Sequence, residues 1–419
     1  MINYLDVWGL KIIGNSDKWR LRQAVIFFVV LAAMFTDNRR LVFFFLSATA
    51  FAAGIGCRQP PAGRAADRPV TPRSTIRYAH GFRIDYYEGY RDVSIFDRKA
   101  GRTDTLHYLL VEKGVDPPAN RPGLPVIVTP VQRMAVISSM HIAMAEFVGV
   151  ADRITGLGSI QYVSSPIVRA GIRAGKVKQV GIDAGINNEA VIAMHPGVLI
   201  VMSNPGTGGG TYKTLTDAGI PVLPDADWLE TTPLGRAEWV KLVAALVDRD
   251  ETVETKFDSL ARSYRRLADI GSHASPKPSV ITDMPFKGTW YVPAGESFMA
   301  QFLRDAGANY HWSDTKGTGS LALGFEAVAP VALTADVWIN LGNVDSKADV
   351  AAKDNRFGSL HPFQTGALYN YNRRVNDLGS NDYWESGSMH PDLILADLIR
   401  ILHPGLLPGD SLYYYKQLK

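Results

Sequence analysis

A short apolar run, a polar loop and a helical pattern follow one another repeatedly from residue 133 onward, and few folds accommodate that repetition. RMAVIS (133–138) precedes MHIAMAEFVGV, RITGLGS (153–159) precedes a polar stretch, GVLIVMS (197–203) precedes TYKTLTDAG, and IPVLPDA (220–226) follows directly. Short apolar runs set between helices predict a parallel sheet covered on both faces. The alternation returns later with SVITDM (279–284), SFMAQFLRDAG (297–307), DVWINL (336–341) and ALYNYN (367–372). PDLILADLIRILHP (391–404) then predicts an amphipathic helix closed by Pro404 and Gly405.

Between the two series lies a stretch of about 35 residues after Gly235 without Pro or Gly. Thr232-Pro233 is suited to open it, as an N-cap followed by Pro at the first helical position. Val253, Phe257, Leu260, Tyr264 and Leu267 recur at intervals of three and four, one face of a helix. The stretch is read as one long helix, or as two with a kink near Asp248–Asp250, ended by HASPKP (273–278). Residues from about 80 to 125 alternate instead and are rich in β-branched and aromatic side chains, which predicts strands.

The N-terminus reads as an export signal. Arg39-Arg40 is followed by LVFFFLSATAFAAGIG (41–56) and then by Cys57, the chain's one cysteine, where a lipoprotein is cleaved and acylated. AGIGC is lipobox-like, with Gly54 where Leu is commonest. Met34 is read as the true start, which makes residues 1–33 a mis-called extension; the alternatives are cleavage without lipidation and an uncleaved anchor over 41–56. The expected organisation is signal 1–56, flexible tether 57–75, N-terminal lobe 76–232, bridging helix 233–272 and C-terminal lobe 273–419. A single cysteine excludes a disulfide scaffold and any Cys-rich metal centre. Six of the 44 Lys/Arg and three of the 41 Asp/Glu fall in residues 1–56, so the rest carries 38 of each. A balanced body argues against nucleic acid as a partner.

Several segments, in order, carry a resemblance. VGIDAGINNEAVIAMHPGVLIV (180–201), TYKTLTDAGIPVL (211–223), YVPAGESFMAQFLRDAGANY (291–310) and SMHPDLILADLIRILHPGLLP (388–408) are similar to segments of bacterial ABC-importer substrate-binding proteins for iron–siderophores, haem and vitamin B12. The resemblance covers about 75–419. It implies an α/β fold of two Rossmann-like lobes with central parallel sheets, bridged by a long α-helix, with a metal chelate between them. It also implies a binding function without catalysis or a cofactor, an ABC permease as partner, and a lipid-anchored monomer in the periplasm. That family often places a Glu early in the first helix of each lobe to dock on the permease. Here Ala143 stands at the first-lobe position, Glu146 lies one turn on, and Glu296 lies near the second-lobe helix start.

In open parallel sheets the ligand site lies beyond the carboxyl ends of the strands. The expected first-lobe residues are therefore Ser139, Met140 and His141, then Gln161 and Tyr162, Asn204, and Trp228. In the second lobe they are Trp290 and Tyr291, Asn343, Arg373 and Arg374, and Tyr383 and Trp384. Aromatic faces suit a flat chelate, and Arg pairs with acidic oxygens. Each also has an ordinary role: Trp290 and Trp384 in a core, Met140 and His141 at a buried helix start, the arginines on a solvated surface. PGTGGGTYKT (205–214) is not a Walker A loop, because Tyr212 stands where Gly must precede the Lys. GxSxG is absent, and the nine histidines form no HExxH motif or close pair. Two alternatives stay open: a binder of bare Zn or Mn, and an enzyme on the same two-lobed scaffold.

Overall fold

Alternation at the start of the body builds a one-sided sheet. In this computed structural model, which describes residues 66–99, 102–203, 210–409 and 411–419, β1 (Ala66–Pro69), β2 (Phe82–Glu88), β3 (Tyr90–Lys99) and β4 (Arg102–Glu112) are antiparallel neighbours in chain order. β5 (Val126–Thr129) adds parallel to β4. Phe82, Ile84 and Tyr86 of β2 are buried while Arg83 between them is exposed, the period of two that such a sheet requires. The signal segment, Cys57 and Asn204 lie outside the described residues.

The expected tether ends earlier than residue 75. β1 already pairs with β2, and Ser74 Oγ donates to Glu254 at 2.6 Å. The backbone N–H groups of Tyr78 and Ala79 donate to Glu238 at 2.6 and 2.9 Å, and that of Gly81 donates to Glu230 at 2.8 Å. Glu238 is fully buried, and so is Lys241, whose Nζ lies 2.9 Å from Glu238, 2.8 Å from Glu254 and 2.6 Å from the Thr75 carbonyl. Carboxylates drawn out of water need such partners, so Glu238 and Glu254 of the bridge, with Glu230 just before it, strap residues 74–81 in place. Gly81 is required there, because a Cβ would come 2.5 Å from the Trp239 ring.

The first lobe is the expected parallel sheet, in the order β10-β9-β6-β7-β8. Its elements are β6 (Met134–Val136), α1 (Ser139–Val148), β7 (Ile154–Leu157), α2 (Pro166–Arg173), β8 (Lys178–Gln179), α3 (Asn188–Met194), β9 (Val198–Met202), α4 (Lys213–Asp217) and β10 (Val222–Asp225). Ser138 caps α1 by accepting from the Met140 N–H, and Gly149 at φ 81° ends it. Next come α5 (Pro233–Glu238), α6 (Val240–Leu246) and α7 (Asp250–Ser272). Thr232 caps α5 with Pro233 at its first turn, as the sequence predicts. The helical stretch breaks at Trp239 and at 247–249, where Asp248 has φ 57°, so only α7 is long. Val253, Phe257, Leu260, Tyr264 and Leu267 all face the core.

The second lobe repeats the plan with β11 (Ser279–Thr282), β12 (Thr289–Pro293), α8 (Phe298–Asp305), β13 (Asn309–Tyr310), β14 (Ser320–Gly324), α9 (Phe325–Ala332), β15 (Val337–Ile339), α10 (Lys347–Lys353), α11 (His361–Thr365), β16 (Leu368–Asn370), α12 (Pro391–Leu402) and β17 (Lys416–Gln417). The sheet order is β13-β11-β15-β16-β17, with β17 antiparallel, and β12 and β14 pair as a separate ribbon. Asp397 of α12 is buried and accepts the N–H groups of Tyr413, Tyr414 and Tyr415, which fixes the approach to β17. One apolar cluster runs from the first sheet through α6 and α7 into the second lobe, and Gly63–Lys419 is one compact unit.

Candidate functional site

Parallel strands send all their carboxyl-end loops to one edge, and here the two edges meet. Ser139 Oγ donates to the Trp384 carbonyl at 3.4 Å, Asn376 Nδ2 to the Val163 carbonyl at 2.8 Å, and the Ser164 and Ser380 hydroxyls lie 3.1 Å apart. The Glu385 carboxylate accepts the Ser164 and Ser165 N–H groups at 2.8 and 2.6 Å, at the start of α2. Burial pushes the Glu385 carboxyl up to about 7, against the two N–H bonds, with Asp382 and Glu146 adding repulsion. Deeper in, Arg236 of α5 lies over the Phe298 ring at 4.7 Å and donates to Asp227 at 2.6 Å.

The loops present large apolar side chains to solvent. Tyr162 is 55% exposed, Phe286 63%, Tyr291 46% and Trp384 52%, with Ile182 beside the first-lobe loops at 55%. Trp384 is held edge-on to Tyr371 and Tyr383 at 5.2 and 5.1 Å, and those two rings stack at 4.7 Å. Exposed aromatics on the strand-end loops, and Tyr291 on β12 itself, leave flat apolar surface available to a ligand.

Not every expected residue lies there. Trp290 is 0% exposed, donates to the Thr282 carbonyl at 2.9 Å and packs on Trp338, so it belongs to the second-lobe core. Met140 and His141 are buried within the first turn of α1, where side chains pack back under the sheet edge, and His141 Nε2 lies 3.2 Å from Asp225. Trp228 is half-buried, its indole donating to the Ser203 carbonyl at 2.8 Å. Tyr383 is buried behind Trp384. Gln161 and Asn343 are exposed at their loop ends.

Arg374 is committed to Asp382 at 2.7 Å and lies over the Tyr413 ring at 4.4 Å; Arg373 is exposed and forms no ion pair among the described residues. Both arginines line a cavity of about 540 Å³ at the flank of the lobe contact, with Glu146, Ser164, Glu385 and His390. Trp384 lines a different, smaller one with Arg236, Phe298 and Tyr383. Glu146 receives the Ser165 hydroxyl, whereas Glu296 is exposed and takes the Gly317 N–H at 2.9 Å and Lys316 at 3.1 Å. Phe286, Ile182 and Glu385 were not among the expected residues. An aromatic in the strand-end segment DMPFKGT (283–289) was the signal for Phe286; Glu385 carried none.

The model of the family described as periplasmic binding protein matches residues 135–359. The chain belongs to the periplasmic binding protein family. This is a family of solute binders, not of enzymes, and the two-lobed α/β fold is theirs. The mixed sheet β1–β5 of this binding protein precedes the matched segment. An uncharacterized lipoprotein of Methanocaldococcus jannaschii is 26% identical over 302 residues, 69% of each chain. A possible iron-binding periplasmic solute-binding protein of Staphylococcus epidermidis superposes with a TM-score of 0.51 at 16% identity, over 66% of this binding protein and 100% of that one. A periplasmic heme-binding protein of Pseudomonas aeruginosa does so with a TM-score of 0.50 at 16% identity, over 69% and 98%.

Proposed function

We propose that this binding protein captures a metal chelate (an iron–siderophore, haem or a cobalamin) between its lobes and delivers it to an ABC permease. The observation that carries the reading is a pair of exposed aromatics on the two sides of the lobe contact: Tyr162 from the first lobe, beside Val163 whose carbonyl accepts from Asn376, and Trp384 from the second, whose carbonyl accepts from Ser139. Such surface in contact with water is costly to leave uncovered, and covering a compact or flat ligand from two sides needs two facing edges. The Staphylococcus protein, a possible iron binder, and the Pseudomonas protein, a heme binder, agree with this class. Cys57 then carries the lipid that holds the protein outside the cytoplasm, and the Methanocaldococcus relative, itself a lipoprotein, supports that placement. Glu296, exposed near the start of α8, is the better-placed acid for docking on a permease, because Glu146 is half-buried. Absorbance titration and native mass spectrometry with ferric siderophores, haemin and cyanocobalamin test the reading. One of them is expected to bind in a one-to-one complex; binding of none overturns it.

A further inference from the structure

Arg236, in α5, stands where the bridge and both lobes meet. Its Nε donates to Asp227 at 2.6 Å, its guanidinium lies over the Phe298 ring of the second lobe at 4.7 Å, and one Nη is 3.7 Å from Met140 Sδ of the first. Asp227 is fully buried on the loop before the bridge. Its other oxygen has no hydrogen-bond partner, and Arg236 is its one ion-pair partner among the described residues. A buried carboxylate so dependent on one cation holds that cation firmly. Behind it, Asp225 accepts the Asp227 N–H at 2.9 Å and lies 3.2 Å from His141 Nε2, which fixes the loop in turn.

A guanidinium held in this way is fixed but not used up. Asp227 takes Nε, neither Nη donates to an oxygen among the described residues, and 21% of the side chain is exposed. Arg236 lines a crevice of about 50 Å³ walled by Phe298, Met299, Phe302, Tyr383 and Trp384. That is room for a terminal group of a few heavy atoms, not for a whole chelate. Trp384, half of it exposed at the lobe contact, lines the same crevice, so a ligand lying on its ring can place one edge beside Arg236. Apolar walls keep the local dielectric low, which strengthens a guanidinium–oxyanion pair and leaves the donors poorly satisfied by an uncharged group. Arg373 and Arg374 line the flank cavity and not this crevice.

We propose that Arg236, positioned by Asp227, receives an acidic oxygen group of the cargo beside Trp384, which makes the cargo a carboxylate-bearing chelate. This rests on the chelate-binding reading above. The test pairs each acid with a counterpart lacking the carboxylate: haemin with its dimethyl ester, ferrichrome A with ferrichrome, and the monocarboxylic acid of cyanocobalamin with cyanocobalamin. Binding is read by tryptophan quenching at fixed ionic strength. In whichever pair binds, the wild type is expected to favour the acid by about tenfold or more. Arg236→Gln is expected to lose that preference. So is Arg236→Gln combined with Asp227→Asn, which strands no buried charge, whereas Arg373→Gln is expected to keep it. Equal binding of the two members by the wild type, a preference that survives either Arg236 variant, or one lost in Arg373→Gln overturns the proposal while chelate binding stands. Failure of all these probes to bind removes the chelate reading and the proposal with it. The wild-type comparison and the exposed Arg373→Gln keep the proposal open to refutation even where the Arg236 variants misfold.

Discussion

Glu385→Gln isolates one buried charge at the lobe contact. Glu385 is 2% exposed and its carboxyl is held near 7, against an ordinary 4.5, because burial outweighs the Ser164 and Ser165 N–H groups. The folded state therefore holds this proton more tightly than the unfolded chain. Between pH 4.5 and 7 the folded protein keeps the proton while the unfolded chain releases it, so stability from this group falls as pH rises. At about 1.4 kcal/mol per pH unit, the full effect is on the order of 3 kcal/mol, complete above pH 7 and absent below 4.5. Gln cannot ionise, so the variant escapes that penalty. Its amide offers one acceptor oxygen to two N–H groups, a pH-independent loss of about 1–3 kcal/mol. Urea unfolding followed by tryptophan fluorescence from pH 4 to 8 at fixed ionic strength separates the two terms. The stability difference, variant minus wild type, is expected to climb by roughly 3 kcal/mol across pH 4.5–7 and to be flat on either side. Parallel curves over that window refute the reasoning, because Glu385 would then have the same affinity for its proton folded and unfolded.

Other substitutions probe the frame and the site. Lys241→Ala leaves the fully buried Glu238 without its cation, and urea denaturation should show a loss of about 3–5 kcal/mol; a loss below 1 kcal/mol would mean water replaces the ammonium. Trp384→Ala should weaken binding of whichever chelate is identified by ten- to hundred-fold, about 1.5–3 kcal/mol of lost apolar contact, against an exposed Lys353→Ala control in the same fluorescence titration. Cys57→Ala should release the protein from the membrane fraction; retention would assign the anchor to 41–56. Small-angle scattering should change little on ligand addition, since α7 and the Glu385 contact join the lobes; a contraction of several ångströms would indicate a flexible hinge.

What the residues by themselves determined was local. Apolar runs set between helical patterns produced β6, β7, β9 and β10 of the first sheet and β11, β15 and β16 of the second, because side-chain period and turn chemistry act over a few residues. The Thr232 cap and the buried face of α7 were legible for the same reason: a helix end and a helix face are defined by neighbours one turn away. Only the tertiary structure decided which aromatics form the site. Trp290 and Tyr291 are adjacent in sequence and alternate across β12, so the first lies under Trp338 and the second faces water. Which of the two a strand buries is a matter of what packs on it, and nothing within the strand says so. The strap at 74–81 depends on Glu230, Glu238 and Glu254, and the lobe contact joins Ser165 to Glu385 across 220 residues of chain. A buried carboxylate is stable only where another segment brings N–H groups or an ammonium to it, and that supply comes from chain folding, not from the residues beside it.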